Sequence, residues 1–175
     1  MIRKALEKDI DPVAGIYEAI LDNEEAGKSC IGWARGVYPT RRTAADAVRK
    51  GTLFVCEEEG RIVAAAKIDQ NQVPEYADCQ WEYEAPDCEV MVLHTLVVDP
   101  ACPHRGHGRA FVRFYEQYAL SNGCRYLRMD TNAKNAVARG MYEKLGYREQ
   151  GIVPCVFNGI QGVQLVCLEK KLEIF

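Results

Sequence analysis

Residues 89–100, EVMVLHTLVVDP, form a nearly continuous run of β-favouring apolar residues, and this run limits the possible folds more than any other segment. A strand with one face in water alternates apolar and polar residues, whereas a strand covered on both faces is apolar throughout. We therefore expect a strand in the interior of a sheet, with other elements packed on both of its faces. A chain of 175 residues can supply these elements within one domain, which we predict to span residues 1–175.

Helix and strand signals surround this run on both sides. Before it, apolar spacing and turn residues predict a strand at 1–7 and an amphipathic helix at 12–26 that begins at Asp11-Pro12. A second helix should run from Thr40 or Thr43 to Gly51. A hairpin at 52–68 that turns at Glu59-Gly60 and a long loop at 70–88 follow. After it, they predict a helix that ends at Asn122-Gly123, a strand at 125–131, a short helix that ends at Gly146, and a hairpin that turns within 157–160 and ends with a strand near 163–172. The order β-α-α-β-β-β-α-β-α-β-β predicts an α/β or α+β fold around one sheet.

Charge and composition argue against several classes of protein. The net charge of −3 lacks the basic excess of a nucleic-acid-binding protein. No apolar run approaches the roughly 20 residues of a membrane-spanning helix, and the N-terminal MIRKALEKDID lacks the apolar core of a secretory signal. The eight cysteines are scattered without a C-x-x-C pair, which favours free, buried thiols over disulfides. We therefore expect a cytoplasmic protein that binds neither nucleic acid nor membranes.

Residues 104–110, HRGHGRA, form a glycine-rich turn between the buried strand and the next helix. A helix begins with unpaired N–H groups, and glycines let a phosphate approach them, so the turn is suited to a pyrophosphate. It lacks the G-K-[ST] of a Walker loop, and Phe111 occupies the third glycine position of a dinucleotide fingerprint. His104 and His107 have no clear third ligand, so we predict no metal site. A solvated surface turn is the alternative.

The turn is part of a pair of sequence motifs with characteristic spacing. Residues 105–110, RGHGRA, fit the pattern Q/R-x-x-G-x-G/A, and Asn135, Ala138 and Tyr142 follow as N-x-x-A-x-x-x-Y. From about residue 52 to its end, the chain resembles the GNAT superfamily, the GCN5-related N-acetyltransferases, in a bacterial-type small-molecule form. The resemblance implies a GNAT fold, with a mixed, mostly antiparallel sheet that is splayed at the central strand and flanked by about four helices.

The resemblance also implies how acetyl-CoA would be bound. The turn before the central helix would hold the pyrophosphate, mainly through backbone N–H groups, with Arg105, Gly106, His107, Gly108, Arg109 and Ala110. The pantetheine arm would lie against the strand and the last helix, at Leu96, Val97, Val98, Asn135 and Ala138. For Asn135, a helix N-cap is the alternative role. The inserted DPACPH before Arg105 is longer than the common family spacing and affects the detail of this loop.

Tyr142 is implied as the general acid. The family tyrosine at this position points to the thioester sulfur, where a phenol can protonate the leaving thiolate. An ordinary half-buried helix tyrosine is the alternative. Backbone N–H groups near Leu96 and Val97 would stabilise the oxyanion.

His94 is the candidate proton acceptor for the attacking amine. An ammonium has no free electron pair, and a histidine near its reference pKa of about 6.5 can take its proton at neutral pH. Some GNAT members, the arylalkylamine acetyltransferases among them, carry a histidine in a similar context on this strand. A core histidine bonded to a backbone carbonyl is the alternative reading. Glu89, or a water relay, could take the proton instead.

The 70–88 loop is the expected acceptor rim. No Lys or Arg occurs between Lys67 and Arg105, and the loop alternates carboxylates with aromatic residues: Glu75, Tyr76, Asp78, Trp81, Glu82, Tyr83, Glu84 and Asp87. Such a rim would favour a cationic amine, and a solvated acidic loop is the alternative. We name Trp33, Tyr76, Trp81 and Glu89 as candidate substrate-binding residues. Tyr38, Pro39 and Phe157 could close further walls of the pocket.

These predictions together indicate an enzyme. We expect an N-acetyltransferase that moves the acetyl group of acetyl-CoA to the primary amine of a small molecule, by direct attack in a ternary complex. A lysine or N-terminal acetyltransferase acting on proteins or peptides, and a non-catalytic acyl-CoA sensor, are the alternatives. Neither the acceptor nor the oligomeric state is readable from the residues, and a homodimer stays open.

Overall fold

The computed structural model describes residues 1–174 as one seven-stranded sheet with four α-helices. The strands are β1 (Ile2–Lys4), β2 (Leu53–Glu58), β3 (Arg61–Asp69), β4 (Val90–Val98), β5 (Tyr126–Asn132), β6 (Arg148–Phe157) and β7 (Ile160–Lys171). The helices are α1 (Ile10–Glu25), α2 (Arg41–Arg49), α3 (His107–Ser121) and α4 (Ala136–Lys144). Short 3₁₀ turns occupy Glu7–Asp9, Pro74–Asp78 and Asp87–Glu89. The predicted order of elements, the mixed α/β class and the number of helices are therefore confirmed.

The sheet order is β1-β2-β3-β4-β5-β7-β6, and only the β4–β5 pair is parallel. The sheet is thus mostly antiparallel, as the resemblance implied. The terminal hairpin places β7 between β5 and β6, so that β5 is covered on both edges over its first half.

The interior strand is β4, and it is buried on both faces along its first half. Val90 and Val92 pack in one apolar cluster while Met91 and Leu93 pack in another, and all four are at most 3% exposed. The alternation of faces in a strand explains why an uninterrupted apolar run was needed here. α3 and α4 cover the face of Met91 and Leu93, and α1 and α2 cover the opposite face nearer to β2 and β3.

Strands β4 and β5 pair at one end and separate at the other. Residues 90–93 pair with 126–129, after which the described chain shows no further β4–β5 pairing. Thr95 has a left-handed backbone with φ of +53°, and the pairing with β3 shifts register at the same place. A non-glycine residue in this region is strained and bends the strand. We call residues 90–93 with 126–129 the clamped end, and residues 95–98 with 130–132 the splayed end.

The first helix begins earlier than predicted. α1 starts at Ile10, because a 3₁₀ turn leads into it and the carboxylate of Asp9 accepts a hydrogen bond from the amide of Leu6 at 2.8 Å. Pro12 therefore lies in the first turn, where a missing N–H needs no partner. Thr40 is the N-cap of α2, and its amide donates to Oγ1 of Thr43 at 3.0 Å.

The 70–88 segment is attached to the sheet through a few residues, while Asp78, Glu82, Glu84 and Asp87 are exposed. Arg128 of β5 is its anchor: Nε donates to Glu169 at 2.7 Å, Nη1 to the side chain of Gln72 at 2.7 Å, and Nη2 to the carbonyl of Tyr83 at 2.8 Å. The guanidinium also lies 4.3 Å from the ring centroid of Trp81. The segment is thereby fixed to the clamped end.

The cysteines are all unpaired, but not all are buried. Cys30 and Cys88 are exposed and Cys155 is half-buried, in contrast to the expectation of buried thiols, while the others are buried: Cys56, Cys79, Cys102, Cys124 and Cys167. Within residues 1–174, no helix is both long enough and apolar enough to cross a membrane. The same residues contain no cluster of His, Cys, Asp and Glu that could hold a metal ion.

Candidate active site

The splayed end encloses a cavity of about 300 Å³. Because β4 and β5 diverge after Leu93, the β5-facing edge of β4 pairs with no other strand in the described residues. The cavity is also lined by Trp33 and Tyr38. It brings together all six residues that the sequence predicted for the pantetheine arm and the thioester: Leu96, Val97, Val98, Asn135, Ala138 and Tyr142. An extended ligand could hydrogen-bond to such a strand edge.

Helix α4 forms one wall of this cavity. The side chain of Asn135 caps the helix by accepting from the amide of Ala138 at 3.1 Å, so the capping role is present, and both residues also line the cavity. Tyr142 is 6% exposed, and its hydroxyl has no hydrogen-bond partner among residues 1–174. Burial raises the pKa of Tyr142, and the charge of Asp130 raises it further. The phenol is therefore protonated at neutral pH.

The glycine-rich turn lies just beyond the splayed end and begins α3. Gly106 is the N-cap with φ of +76°, a conformation that L side chains rarely adopt. A Cβ on Gly108 would lie 3.2 Å from Sδ of Met141, so glycine lets α3 approach α4 closely. Arg105, Arg109 and Ala110 are exposed, so the start of α3 is accessible to an anion. Nη1 of Arg105 lies 3.4 Å from the partly exposed carboxylate of Glu58.

The imidazole of His107 is buried and therefore not accessible to a ligand at this turn. Its side chain is 9% exposed, and Nε2 has no hydrogen-bond partner among the described residues. The carboxylate of Glu58 is 3.6 Å away. The backbone of His107 remains available at the helix start, as the sequence predicted for this position.

A second cavity of about 350 Å³ adjoins the first. The two share wall residues from the α1–α2 connection, β4, β5 and the terminal hairpin: Tyr38, Thr95, Asp130, Phe157 and Asn158. The hydroxyls of Tyr38 and Thr95 are hydrogen-bonded, which ties the bulge of β4 to this wall. Tyr38 and Phe157 therefore occupy the wall positions that the sequence suggested.

His94 lines the second cavity and not the first. Its Nε2 lies 2.9 Å from Oδ1 of Asp69, and Nζ of Lys67 lies 3.3 Å from the other oxygen of that carboxylate. The ring is thus held by a carboxylate and not by a backbone carbonyl. Burial acts to raise the pKa of Asp69, but the hydrogen bond from His94 and the nearby charges outweigh it and lower that pKa.

Asp130 is the residue that the sequence analysis missed. It lines both cavities, and its Oδ2 accepts a hydrogen bond from the hydroxyl of Tyr76 at 2.6 Å. No Lys, Arg or His within residues 1–174 forms an ion pair with it. Burial raises the pKa of Asp130 from 3.8 to about 6, although the Tyr76 hydrogen bond and the charge of His94 act to lower it. In the sequence, the one indication of this site was an acidic residue near the end of the predicted strand RYLRMDT.

Three candidate substrate-binding residues lie away from both cavities. Tyr76 is 2% exposed and buried in the core, where it serves Asp130 through its hydroxyl. Trp81 packs on Arg128, and its Nε1 donates to the carbonyl of Tyr76 at 3.0 Å. Glu89 precedes the clamped end, and its carbonyl accepts from the amide of Arg125 at 3.0 Å. The carboxylates of the 70–88 segment therefore line neither of these two cavities, and of the four candidates only Trp33 lines one of them.

Comparison with known proteins adds independent information. Residues 14–147 match the sequence model described as the acetyltransferase (GNAT) family. An uncharacterised N-acetyltransferase of Methanocaldococcus jannaschii is 30% identical over 100 residues, which span 57% of this chain and 40% of that protein. This chain thus matches less than half of that relative's length.

Solved structures share the whole fold. A GNAT-family acetyltransferase from Streptococcus agalactiae 2603 superposes with a TM-score of 0.82 at 23% identity, over 99% of this chain and 96% of that one. The yncA protein of Salmonella typhimurium, solved with its cofactor acetyl-CoA, gives a TM-score of 0.68 at 18% identity, over 99% and 94%. At these identities the likeness establishes the fold alone.

Proposed function

This chain belongs to the acetyltransferase (GNAT) family, and from that premise we propose that it transfers the acetyl group of acetyl-CoA to the primary amine of a small molecule. The observation that carries the proposal is the cavity at the splayed end, which is lined by Tyr142 and shares wall residues with a second cavity. A site for two substrates needs two adjoining compartments, one for the thioester and one for the acceptor.

The first cavity and the turn fit the two parts of a CoA molecule. Leu96, Val97 and Val98 offer an unpaired strand edge to the pantetheine arm, with Asn135 and Ala138 opposite. The start of α3 offers amides to the pyrophosphate, with Arg105 and Arg109 as supporting charges.

Each residue of the site has a proposed task. Bound acetyl-CoA supplies an activated acetyl thioester. Amides near Leu96 and Val97 would stabilise negative charge on the acetyl oxygen. Tyr142 would donate its phenolic proton to the departing sulfur. His94 lines the second cavity, where the proton of the amine must be accepted. The carboxylate of Asp69 would hold the His94 ring in position.

The second cavity supports a compact acceptor. It is bounded by α2, by Tyr38 and by Phe157 and Asn158 of the terminal hairpin. A cavity of about 350 Å³ suits a small molecule better than an extended peptide. We place the reaction in the cytoplasm, since unpaired cysteines, two of them exposed, fit a reducing compartment.

CoA release in the presence of candidate acceptors tests the function. The purified chain would be mixed with acetyl-CoA and a panel of small amines, amino acids and peptides, and free thiol would be measured. We expect acceptor-dependent release with at least one small amine. Release with peptides alone would replace the small-molecule proposal, and tight CoA binding without release by any acceptor would support a sensor.

A further inference from the structure

Asp130 lies where the thioester and acceptor compartments meet, and the proposed function assigns it no task. We propose that Asp130 binds the ammonium group of the acceptor and takes its proton, which makes the preferred acceptor a cationic alkylamine. This inference rests on the proposed acetyltransferase function and names the charge of its substrate.

The hydrogen bonds around Asp130 leave room for such a partner. A carboxylate can accept about four hydrogen bonds, and this one receives a single bond, from Tyr76. A buried charge is normally paired or strongly hydrogen-bonded. An ammonium that enters from the second cavity would supply both the missing positive charge and the missing donors.

The neighbouring charges do not satisfy Asp130. His94 and Lys67, which line the second cavity with Asp130, are both bonded to Asp69 instead. Glu75, on the turn that carries Tyr76, adds further negative charge that raises the pKa of Asp130. The second cavity also carries Arg42 and Lys50 of the α2 region, and neither forms an ion pair with Asp130. At Asp130 itself, the single hydrogen bond and the nearby Glu75 leave a negative group for the arriving amine.

The other titratable groups that face Asp130 do not compete for the proton. They are three phenols and two thiols, contributed by separate elements: Tyr38, Tyr76, Tyr142, Cys155 and Cys167. In each case burial is the main cause that raises the pKa, and the charge of Asp130 adds to it. These groups stay neutral at pH 7, which leaves His94 as the rival that the experiment must separate.

The proton balance is complete with the residues present. An N–H bond of the ammonium breaks and an O–H bond forms on Asp130, which frees the nitrogen electron pair to attack the acetyl carbon. The amide C–N bond forms and the C–S bond breaks as Tyr142 gives its proton to sulfur. The second N–H proton replaces the one that Tyr142 gave up, and the proton on Asp130 leaves to water. The sum is an ammonium and an acetyl thioester converted to an amide, a thiol and one released proton.

Protonation of Asp130 also favours the later step. The negative charge of Asp130 is one cause of the raised pKa of Tyr142. When Asp130 takes the amine's proton that charge disappears, so the pKa of Tyr142 falls and the phenol becomes a stronger acid as the thiolate departs.

The test compares wild type with Asp130→Asn, which keeps an acceptor oxygen for Tyr76 but cannot take a proton. For an alkylamine at about pH 7, we expect kcat/KM to fall by about 100-fold or more, with the KM for acetyl-CoA changed by less than about threefold. In wild type, kcat/KM should rise with pH through a break near the pKa of Asp130, about 6. In the variant that break should vanish, and activity should climb with pH toward the amine's own pKa, because only neutral amine can react.

Two further variants make the result specific. Asp78→Asn removes an exposed carboxylate of the 70–88 segment that lines neither cavity, and its kcat/KM should match wild type within about twofold. His94→Gln should keep the break near pH 6. If His94→Gln lost that break while Asp130→Asn kept it, the inference would be overturned.

The proposal and the function on which it rests fail in different ways. No acceptor-dependent CoA release by wild type would reject both. Wild-type release together with near-normal rates and an unchanged pH profile in Asp130→Asn would reject the role of Asp130 alone, as would a preference for arylamines or alcohols over alkylamines. Should Asp130→Asn not fold, the profiles of wild type and His94→Gln decide: a shared break near pH 6 supports the inference, and its absence in wild type overturns it.

Discussion

Arg128 and Asp130 lie two residues apart on β5 and point to the same face of the sheet, yet their surroundings are opposite. Arg128, at the clamped end, is 5% exposed, and its nitrogens donate to Glu169, Gln72 and the carbonyl of Tyr83. Asp130, at the splayed end, has one hydrogen bond and no ion pair within residues 1–174. One charged group is fully partnered by the protein, and the other faces a cavity.

The difference separates a charge that holds the fold from a charge that is kept for a ligand. A paired buried charge loses little when its partners are well placed, but an unpaired one destabilises the folded state. Such unfavourable groups persist where function needs them. Substitutions at the clamped end should therefore lower stability and spare activity, and substitutions at the splayed end should lower activity and spare stability. Four predictions test this difference.

Arg128→Met is expected to give the largest effect, a loss of about 3–5 kcal/mol in the free energy of unfolding, because it leaves Glu169 buried without its partner. Urea unfolding measures it. The double variant with Glu169→Leu should recover much of the loss. A single variant that loses less than about 1 kcal/mol would show that the clamp contributes little.

Tyr142→Phe should lower kcat by about 100-fold, equivalent to roughly 2.7 kcal/mol, with little change in unfolding free energy. The matched variant at the clamped end is Tyr115→Phe, whose buried hydroxyl donates to the carbonyl of Met91 at 2.6 Å. It should lose about 1 kcal/mol of stability and keep its kcat. Equal kcat values for the two variants would contradict the acid role of Tyr142.

Asp130→Asn should stabilise the protein at pH 7 by about 1–3 kcal/mol. The folded-state pKa of about 6 exceeds the ordinary 3.8, so the folded state binds more protons than the unfolded state between these values. Asp130 therefore costs stability as pH rises through this window, and the cost disappears below it. Thermal unfolding of variant and wild type at about pH 7 and about pH 4 should show a difference that shrinks in acid.

Gly106→Ala should give the smallest effect on stability, about 1 kcal/mol, because its φ of +76° disfavours a side chain. We also expect the KM for acetyl-CoA to rise several-fold. Gly123→Ala is the control at the other end of α3, with the same φ of +76° and open space around it. Gly123→Ala should lose similar stability without any change in the KM for acetyl-CoA. An equal rise in KM in both variants would contradict a role of the glycine-rich turn in binding acetyl-CoA.

The sequence was sufficient for the order of elements and for several residues of the first cavity. The apolar run of β4 predicted a strand buried on both faces, and the resemblance pointed to Leu96, Val97, Val98, Asn135, Ala138 and Tyr142, which line the first cavity. These are local signals, set by periodicity and by turn residues. The roles of these residues toward a cofactor stay predictions.

The long-range contacts around the second cavity and in the 70–88 segment could not be predicted from local sequence patterns. The 70–88 segment appeared as an acidic rim because its composition does not reveal Arg128 or Glu169, which reach it from strands far along the chain. The partner of His94 is likewise Asp69, on a neighbouring strand. In the sequence, Asp130 is a single acidic residue within a strand. Its lack of an ion pair depends on where the fold places every cationic side chain, which the sequence does not show.

The most direct test of this account is a ¹³C NMR titration of the Asp130 side-chain carboxyl, assigned with the Asp130→Asn variant. The account predicts a pKa near 6 in the free protein, and a decrease when a saturating alkylammonium acceptor is bound, because a cation favours the ionised form. A pKa at or below the ordinary 3.8, unchanged by any cationic acceptor, would show that Asp130 is already satisfied by the protein and would contradict the account.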